Sequence, residues 1–420
     1  MTSVVEVADL ERLHQARVPR MFYDYAASGS WSETTLRDNR SAFERLRFNQ
    51  RVAVDLSSRS VECELLGQPA SLPIALAPIG MLGMQHCDGE IHAARAAAAQ
   101  NVPFILSTMS ICSIEDVAAA SPAPFWFQLY VMRDHDFVKR LMDRAKAAGC
   151  RVLVLTLDLQ LLGQRHADVR NGLSAPPKLT LKNILNMTLH PRWALGMLGT
   201  SRRGFGNIVG HVQGIDDMSS LANWTARQFD PALSWQDVEW IRDYWDGPLI
   251  IKGVLDPSDA AKAAEMGASA VVISNHGGRQ LDGAPASLLA LPPAAEAIRA
   301  LPGRASRCEV WMDGGIRSGQ DLLKALALGA DAALIGRAYV AGLGAMGQQG
   351  VEHAVSFIRR ELELSMAFCG VTDVRQVDSG IFWPPPTGHV PGQLSDSNES
   401  NLPLAFARAD SATGSKMGNP

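Results

Sequence analysis

Between residues 73 and 341, short and almost unbroken apolar runs alternate with longer segments in which apolar residues return every three or four positions. Eight runs of four to six residues stand out, at 74–77, 104–107, 125–129, 152–157, 249–252, 270–274, 310–313 and 332–336. They are too short for helices and read as strands buried on both faces, and the periodic segments between them read as helices. The stretch 136–149 shows the grammar: Phe137, Leu141 and Ala145 share one helical face, and Gly149 ends the pattern with a residue suited to a left-handed cap. Stretches 259–267 and 320–329 end on Gly267 and Gly329 in the same way. Repeated strand–helix units predict a parallel sheet, and eight of them predict an α/β fold of the closed (β/α)8 TIM-barrel type.

Two parts of the chain break the alternation. Residues 1–70 carry short helical patterns, with Asp9 and Ser32 as expected N-caps and a β-like stretch at 61–65, and are expected to close the bottom or side of the barrel. Residues 159–234 are too long for an ordinary βα connection and predict a lid-like insertion after the fourth strand. One barrel domain is therefore expected over residues 1–390, and the Ser-, Asn- and Gly-rich residues 393–420 are expected to form a disordered tail.

Composition narrows the class. A chain of 420 residues that is 47% hydrophobic and 20% charged can bury a large core, and its net charge of −4 supplies no global field to gather nucleic acid. The six cysteines are spread out and form no C-x-x-C pair, so they read as small core residues rather than metal ligands or a disulfide framework. The N-terminus lacks the apolar region of a signal peptide, which favours a cytoplasmic start. The longest apolar stretch, 325–345, is broken by Asp331 and Arg337 and does not read as a membrane span. Locally the charge is lopsided: residues 169–215 hold no Asp or Glu, but six cations (Arg170, Lys178, Lys182, Arg192, Arg202, Arg203) lie among Leu179, Ile184, Leu185, Leu189, Trp193, Leu195 and Leu198. That mixture suits an anionic membrane surface, contacted by the loop at about 178–210; a protein partner, or packing back onto the barrel, is the alternative.

In barrels of this type, chemistry sits at the C-terminal ends of the strands. Here those ends carry Pro78, Ser107, Gln128 with Tyr130, Thr156 with Asp158, Lys252, Ser274 to His276, Asp313, and Gly336 with Arg337. A lysine, a histidine, a glutamine and a tyrosine on otherwise apolar runs exceed what solvated loop ends require, and point to one shared pocket. Within Ser274-Asn275-His276-Gly277-Gly278-Arg279, the glycines allow close backbone approach and the Arg279 guanidinium can clamp a carboxylate. His276 can then take a proton from the same ligand, with a structural loop histidine as the alternative. Asp313-Gly314-Gly315-Ile316-Arg317 and Gly336-Arg337 follow the seventh and eighth runs, where barrels of this type bind phosphate. Lys252 needs an anionic partner if it points into the barrel mouth. Metal-ligand spacings, a nucleophile elbow, a P-loop and a dinucleotide fingerprint are all lacking.

At these residues the sequence resembles the FMN-dependent L-2-hydroxy acid dehydrogenase and oxidase family. The resemblance spans roughly residues 7–385, through Tyr23-Asp24-Tyr25, Phe127-Gln128-Leu129-Tyr130, Leu155-Thr156-Leu157-Asp158, Ile251-Lys252-Gly253, Ser274 to Asp282 and Lys324 to Ala330 in family order. It implies FMN across the barrel mouth, held by Ala77, Pro78, Ile79, Gly80, Ser107, Gln128, Thr156, Lys252 and Ser274. The phosphate would sit on Asp313, Gly314, Gly315, Arg317, Gly336 and Arg337, with the flavin edge as the anionic partner of Lys252. It implies His276 as the general base, Asp158 orienting it, Arg279 and Tyr25 gripping the substrate carboxylate, Tyr130 facing the substrate hydroxyl and Arg165 as a second cation.

Departures from the family pattern bear on which member this is. Leu159-Gln160-Leu161 replaces the usual proline-bearing pair after Asp158, Met109 stands where plant glycolate oxidases carry tryptophan, and Gly80 replaces the alanine usual in oxidases. Residues 223–252 are similar to bacterial respiratory L-lactate dehydrogenases, and His190-Pro191-Arg192-Trp193 to membrane-bound mandelate dehydrogenases. The resemblance thus implies oxidation of an L-2-hydroxy acid, foremost L-lactate to pyruvate, with electrons passed to quinone or another non-oxygen acceptor. L-mandelate as substrate, a peroxide-forming oxidase, and a non-catalytic barrel that only binds a phosphorylated ligand are the alternatives. A homotetramer on the cytoplasmic side of the membrane is implied as well.

Overall fold

A computed structural model describes residues 3–173, 180–212 and 228–383. A short hairpin of β1 (Cys63–Leu65) and β2 (Gln68–Ala70) precedes eight parallel strands, one for each apolar run. These are β3 (Ile74–Leu76), β4 (Ile105–Ser107), β5 (Trp126–Tyr130), β6 (Leu153–Thr156), β7 (Leu249–Val254), β8 (Ala270–Ile273), β9 (Glu309–Asp313) and β10 (Ala332–Ile335). Each pairs with its sequence neighbour, β10 returns to β3, and a bridge between Leu76 and Phe104 brings β3 to β4. The sheet is a closed (β/α)8 TIM barrel.

The strands are apolar throughout because the barrel buries both of their faces. Outward residues such as Leu76, Phe127, Leu155, Ile251, Ile273 and Met312 join the helices in the main core. Ala75, Ile105, Trp126, Val154, Ile250, Val272, Trp311 and Leu334 form a separate inner cluster. Trp126 and Trp311 meet there at 5.8 Å between ring centroids, and Leu65 and Ala70 of the hairpin pack against the same cluster. The expected glycine stops hold: helices His135–Ala147, Pro257–Glu265 and Gly319–Ala327 are followed by Gly149, Gly267 and Gly329 at positive φ.

The N-terminal segment meets the expectation in part. The hairpin closes the bottom, where the Leu66 N–H reaches Glu309 at the start of β9. The helices Arg20–Ala27 and Thr34–Glu44 instead reach the C-terminal mouth, where Ser30 and Thr35 bond to the loop after β8. Ser32 is no N-cap: Glu33 occupies that position, and the Ser32 hydroxyl donates to Asp282. Asp9 is the third residue of its helix and forms a capping box with Glu6.

After β6 the described part of the insertion forms short helices His166–Arg170, Leu181–Thr188 and Pro191–Gly199. Lys178 and the expected tail at 393–420 lie outside the described residues. No helix among the described residues is long and apolar enough to cross a membrane.

Candidate active site

Barrel parity builds the site. Side chains two positions apart on a strand point the same way. Two positions beyond the inner apolar residues Ala75, Ile105, Trp126, Val154, Ile250, Val272, Trp311 and Leu334 stand Ala77, Ser107, Gln128, Thr156, Lys252, Ser274, Asp313 and Gly336. The strand-end residues are therefore the top inner layer of the barrel. Above them opens a cavity of about 520 Å3, lined among others by Tyr25, Tyr130, Arg165, His276 and Arg279, by Ala77 to Gly80, and by Gly314, Gly315, Arg317, Gly336 and Arg337. A larger cleft of about 1560 Å3 opens at the opposite end, beside Cys63, Pro73 and Glu309, away from this constellation.

Lys252 is buried, with Nζ 2.9 Å from Asp313 Oδ2, and donates to Ser274 Oγ at 3.0 Å. Ser274 donates onward to Asp313 Oδ1 at 2.6 Å and accepts the His276 N–H at 3.0 Å. Burial works against the ammonium, but Asp313 and then Asp158 outweigh it and hold the Lys252 pKa above its usual value. Asp313, expected at the phosphate end, lines the cavity with its carboxylate held by Lys252 and Ser274. Lys252 finds its anionic partner within the protein.

His276 has φ +58°, and Gly277 and Gly278 follow at +64° and +74°. This left-handed run turns the chain back over the mouth, and a Cβ at Gly278 would fall 2.6 Å from the Leu36 backbone nitrogen. The turn sets His276 Nδ1 2.8 Å from Asp158 Oδ1. A carboxylate only accepts, so Nδ1 carries the proton and Nε2 keeps its lone pair. Burial lowers the His276 pKa, and Asp158 restores only part of that loss. Burial alone would raise the Asp158 pKa, but His276 and Lys252 together pull it below the usual carboxylate value. The pair thus rests as a neutral imidazole on a carboxylate.

Arg279 lies over the Tyr25 ring at 4.8 Å and donates to the Tyr25 and Ser28 carbonyls. Burial, reinforced by Arg165, lowers its pKa to about 10. Arg337 donates to the carbonyls of Ala26, Gly277 and Ser28, each at 2.8 Å, and forms no ion pair with a carboxylate among the described residues. Burial and then the neighbouring Arg279 and Arg317 drive its pKa well down. Arg317 shares its charge with Glu11 at 2.7 Å. The cavity is crowded with guanidinium groups and short of anions.

These features fit FMN. Gln128 accepts from Ser107 Oγ at 3.1 Å while its buried Nε2 has no partner, and buried Thr156 Oγ1 has none either. Such orphaned atoms are costly unless a ligand edge meets them. Gly314 and Gly315 at positive φ, the N-terminus of helix Arg337–Met346, and the Arg317 and Arg337 guanidinium groups face the same cavity, as an anionic phosphate requires. Gly315 is also forced by packing, since a Cβ there would lie 2.0 Å from the Asn39 carbonyl oxygen.

Residues 14–384 match the protein family described as FMN-dependent dehydrogenase. The chain belongs to that family. Among curated relatives, an L-lactate dehydrogenase of Xanthomonas campestris pv. campestris (strain B100) is 44% identical over 372 residues, covering 88% of this chain and 94% of that protein. The L-lactate dehydrogenase of Xanthomonas euvesicatoria pv. vesicatoria (strain 85-10) is 42% identical over 374 residues, covering 89% and 94%. Among solved structures, the monotopic membrane protein (S)-mandelate dehydrogenase matches with a TM-score of 0.85 at 34% identity, covering 91% of this chain and 99% of that one. A mandelate oxidase matches with a TM-score of 0.75 at 36% identity, covering 89% and 96%. FMN is accordingly the cofactor of this family member.

The structure gathers the expected residues into one site: Gln128, Thr156 and Ser274 belong to the inner layer beneath the cavity, and Asp158 reaches it through His276. It also adds residues that sequence reasoning passed over. Phe205 and Phe229 wall the cavity from the insertion, and Phe229 meets Tyr130 edge-on at 5.9 Å. Asn39 and Asn275 exchange amide hydrogen bonds at 2.9 Å and tie the N-terminal helix to the His276 loop. Asp168 shares the cavity with Arg165, and the i, i+3 spacing of those two residues was the available signal.

Proposed function

We propose that this protein oxidises L-lactate, or a close L-2-hydroxy acid, to the 2-oxo acid, and passes the electrons to a membrane quinone or another non-oxygen acceptor. The observation that carries the reading is the neutral, Asp158-oriented His276 facing the same cavity as Arg279 and Arg165. The substrate carboxylate binds Arg279, with Tyr25 and Arg165 completing the grip, and Tyr130 faces the hydroxyl. His276 Nε2 takes the hydroxyl proton, and Asp158 stabilises the imidazolium that results. FMN, when bound, supplies the two-electron oxidant. Lys252, held by Asp313, keeps a fixed positive charge at the floor of the site, where negative charge grows during reduction.

The substrate assignment draws support from the L-lactate dehydrogenases among the relatives. Membrane attachment draws support from the helices Leu181–Thr188 and Pro191–Gly199. Leu181, Leu185, Leu189, Leu195 and Leu198 are each more than 60% exposed there, beside exposed Lys182 and Arg192. Trp193 stacks on Phe22 at 5.3 Å and fastens this segment to the N-terminal helices. Attachment at the cytoplasmic side of the membrane, as a homotetramer, is part of the same reading.

The test is the visible spectrum of the purified protein, followed by anaerobic addition of L-lactate and, in parallel, L-mandelate. Rapid bleaching of the flavin band by L-lactate is the expected result. Faster bleaching by L-mandelate would move the assignment to the aromatic acid, and bleaching by neither would refute both.

A further inference from the structure

Asp168 is an acid on the wall of a cavity that must bind an anion. Its Oδ1 is buried and has no hydrogen-bond partner, and the same holds for Arg165 Nε. Between the two side chains, Asp168 Oδ2 and Arg165 Nη1 stand 4.0 Å apart, close enough for attraction but too far for a hydrogen bond. Both side chains are more than four-fifths buried, so solvent screens the attraction weakly. The surrounding charges are the Arg279 guanidinium and, from helix Arg20–Ala27, Asp24, which accepts from Asn171 Nδ2 at 2.8 Å. Nothing in the catalytic scheme above uses this carboxylate.

We propose that Asp168 determines how tightly the site holds carboxylates, by competing with the ligand for Arg165. The inference rests on the functional reading given above. With the site empty of substrate, Asp168 keeps the Arg165 guanidinium at the cavity wall and balances its charge. An incoming carboxylate takes over Arg165 and meets Asp168 as a neighbouring like charge. The substrate and the 2-oxo acid product pay this penalty alike, so Asp168 weakens product retention without touching proton transfer at His276. No bond is made or broken by Asp168; it is a positioning and specificity residue.

The test titrates the oxidised, FMN-loaded wild type, Asp168→Asn and Asp168→Glu with pyruvate and with oxalate, followed by calorimetry and by the shift of the flavin band. Removing one charge at this range should tighten both ligands about tenfold in the Asn variant, while the Glu variant stays near wild type. In turnover the same change should appear as a lower KM for L-lactate in the Asn variant and not in the Glu variant. Asp168→Ser makes the same prediction through a smaller side chain if the amide does not pack. A neutral variant that binds these acids equally or more weakly overturns the inference and makes Asp168 a structural prop for Arg165. A wild type that binds neither acid overturns the functional reading and the inference with it.

Discussion

Replacing Asp158 by Asn tests the centre of the proposed chemistry. The amide oxygen can still accept from His276 Nδ1, now at 2.8 Å from Asp158 Oδ1, so the ring orientation survives while the negative charge is lost. Both side chains are less than a fifth exposed, which keeps the interaction only weakly screened. Two unit charges about 4 Å apart at an effective dielectric constant near 20 interact by about 4 kcal/mol. A transition state with half to all of the imidazolium charge developed therefore loses about 2–4 kcal/mol, or roughly 30- to 1000-fold in rate. Anaerobic stopped-flow bleaching of the flavin band at saturating L-lactate measures it, with FMN content as the control. The pH profile supplies a second reading. Asp158 raises the His276 pKa against burial, so its removal must move the acid limb of kcat/KM to lower pH even as the plateau falls. Reduction within threefold of wild type, or an acid limb that moves upward, would refute the assigned role.

In the wild type the buried His276 titrates below its ordinary 6.5. Because the base works deprotonated, kcat/KM should be level at neutral pH and on the acid side fall only as pH drops through that lowered pKa; an acid limb centred at neutral pH or above contradicts the structure. Lys252→Met leaves Asp313 buried without its cation and should cost about 3–5 kcal/mol in urea unfolding. Lys252→Met with Asp313→Asn should regain most of the stability but not the flavin-reduction rate, and a single variant losing less than about 1 kcal/mol would show that the pair is not coupled. The triple substitution Leu185→Asp, Leu195→Asp, Leu198→Asp should weaken sedimentation with anionic vesicles at least about tenfold and leave dye-linked turnover unchanged; unaltered vesicle binding would place the membrane contact elsewhere.

Much of this site was legible along the chain because a closed parallel barrel imposes two rules at once. Burial on both faces makes each strand a continuous apolar run, so all eight strands could be counted. The period of two then makes the polar residue that ends a run an inward one, as with Gln128 after Trp126, Lys252 after Ile250 and Asp313 after Trp311. The His276 turn was legible for a related reason: two consecutive glycines permit a left-handed path that few other residues follow.

What the chain order could not show is which of these residues meet. Asp313 reads locally as the start of a phosphate loop, and only the stagger of the closed sheet brings its carboxylate from β9 across Ser274 to Lys252 on β7. The N-terminal helices carry no local sign of which end of the barrel they cover; the contacts of Asn39 with Asn275 and of Leu36 with Gly278 decide it. Asp168 carries no local sign of a role beyond its spacing from Arg165, and only the fold sets it beside that residue on the wall of the cavity. Periodicity and backbone preference act between near neighbours in sequence, and so the sequence by itself determined the elements, their inward faces and the residue types of the site. Pairing of charges depends on distances of a few ångströms between elements far apart in the chain, which only the tertiary structure decided.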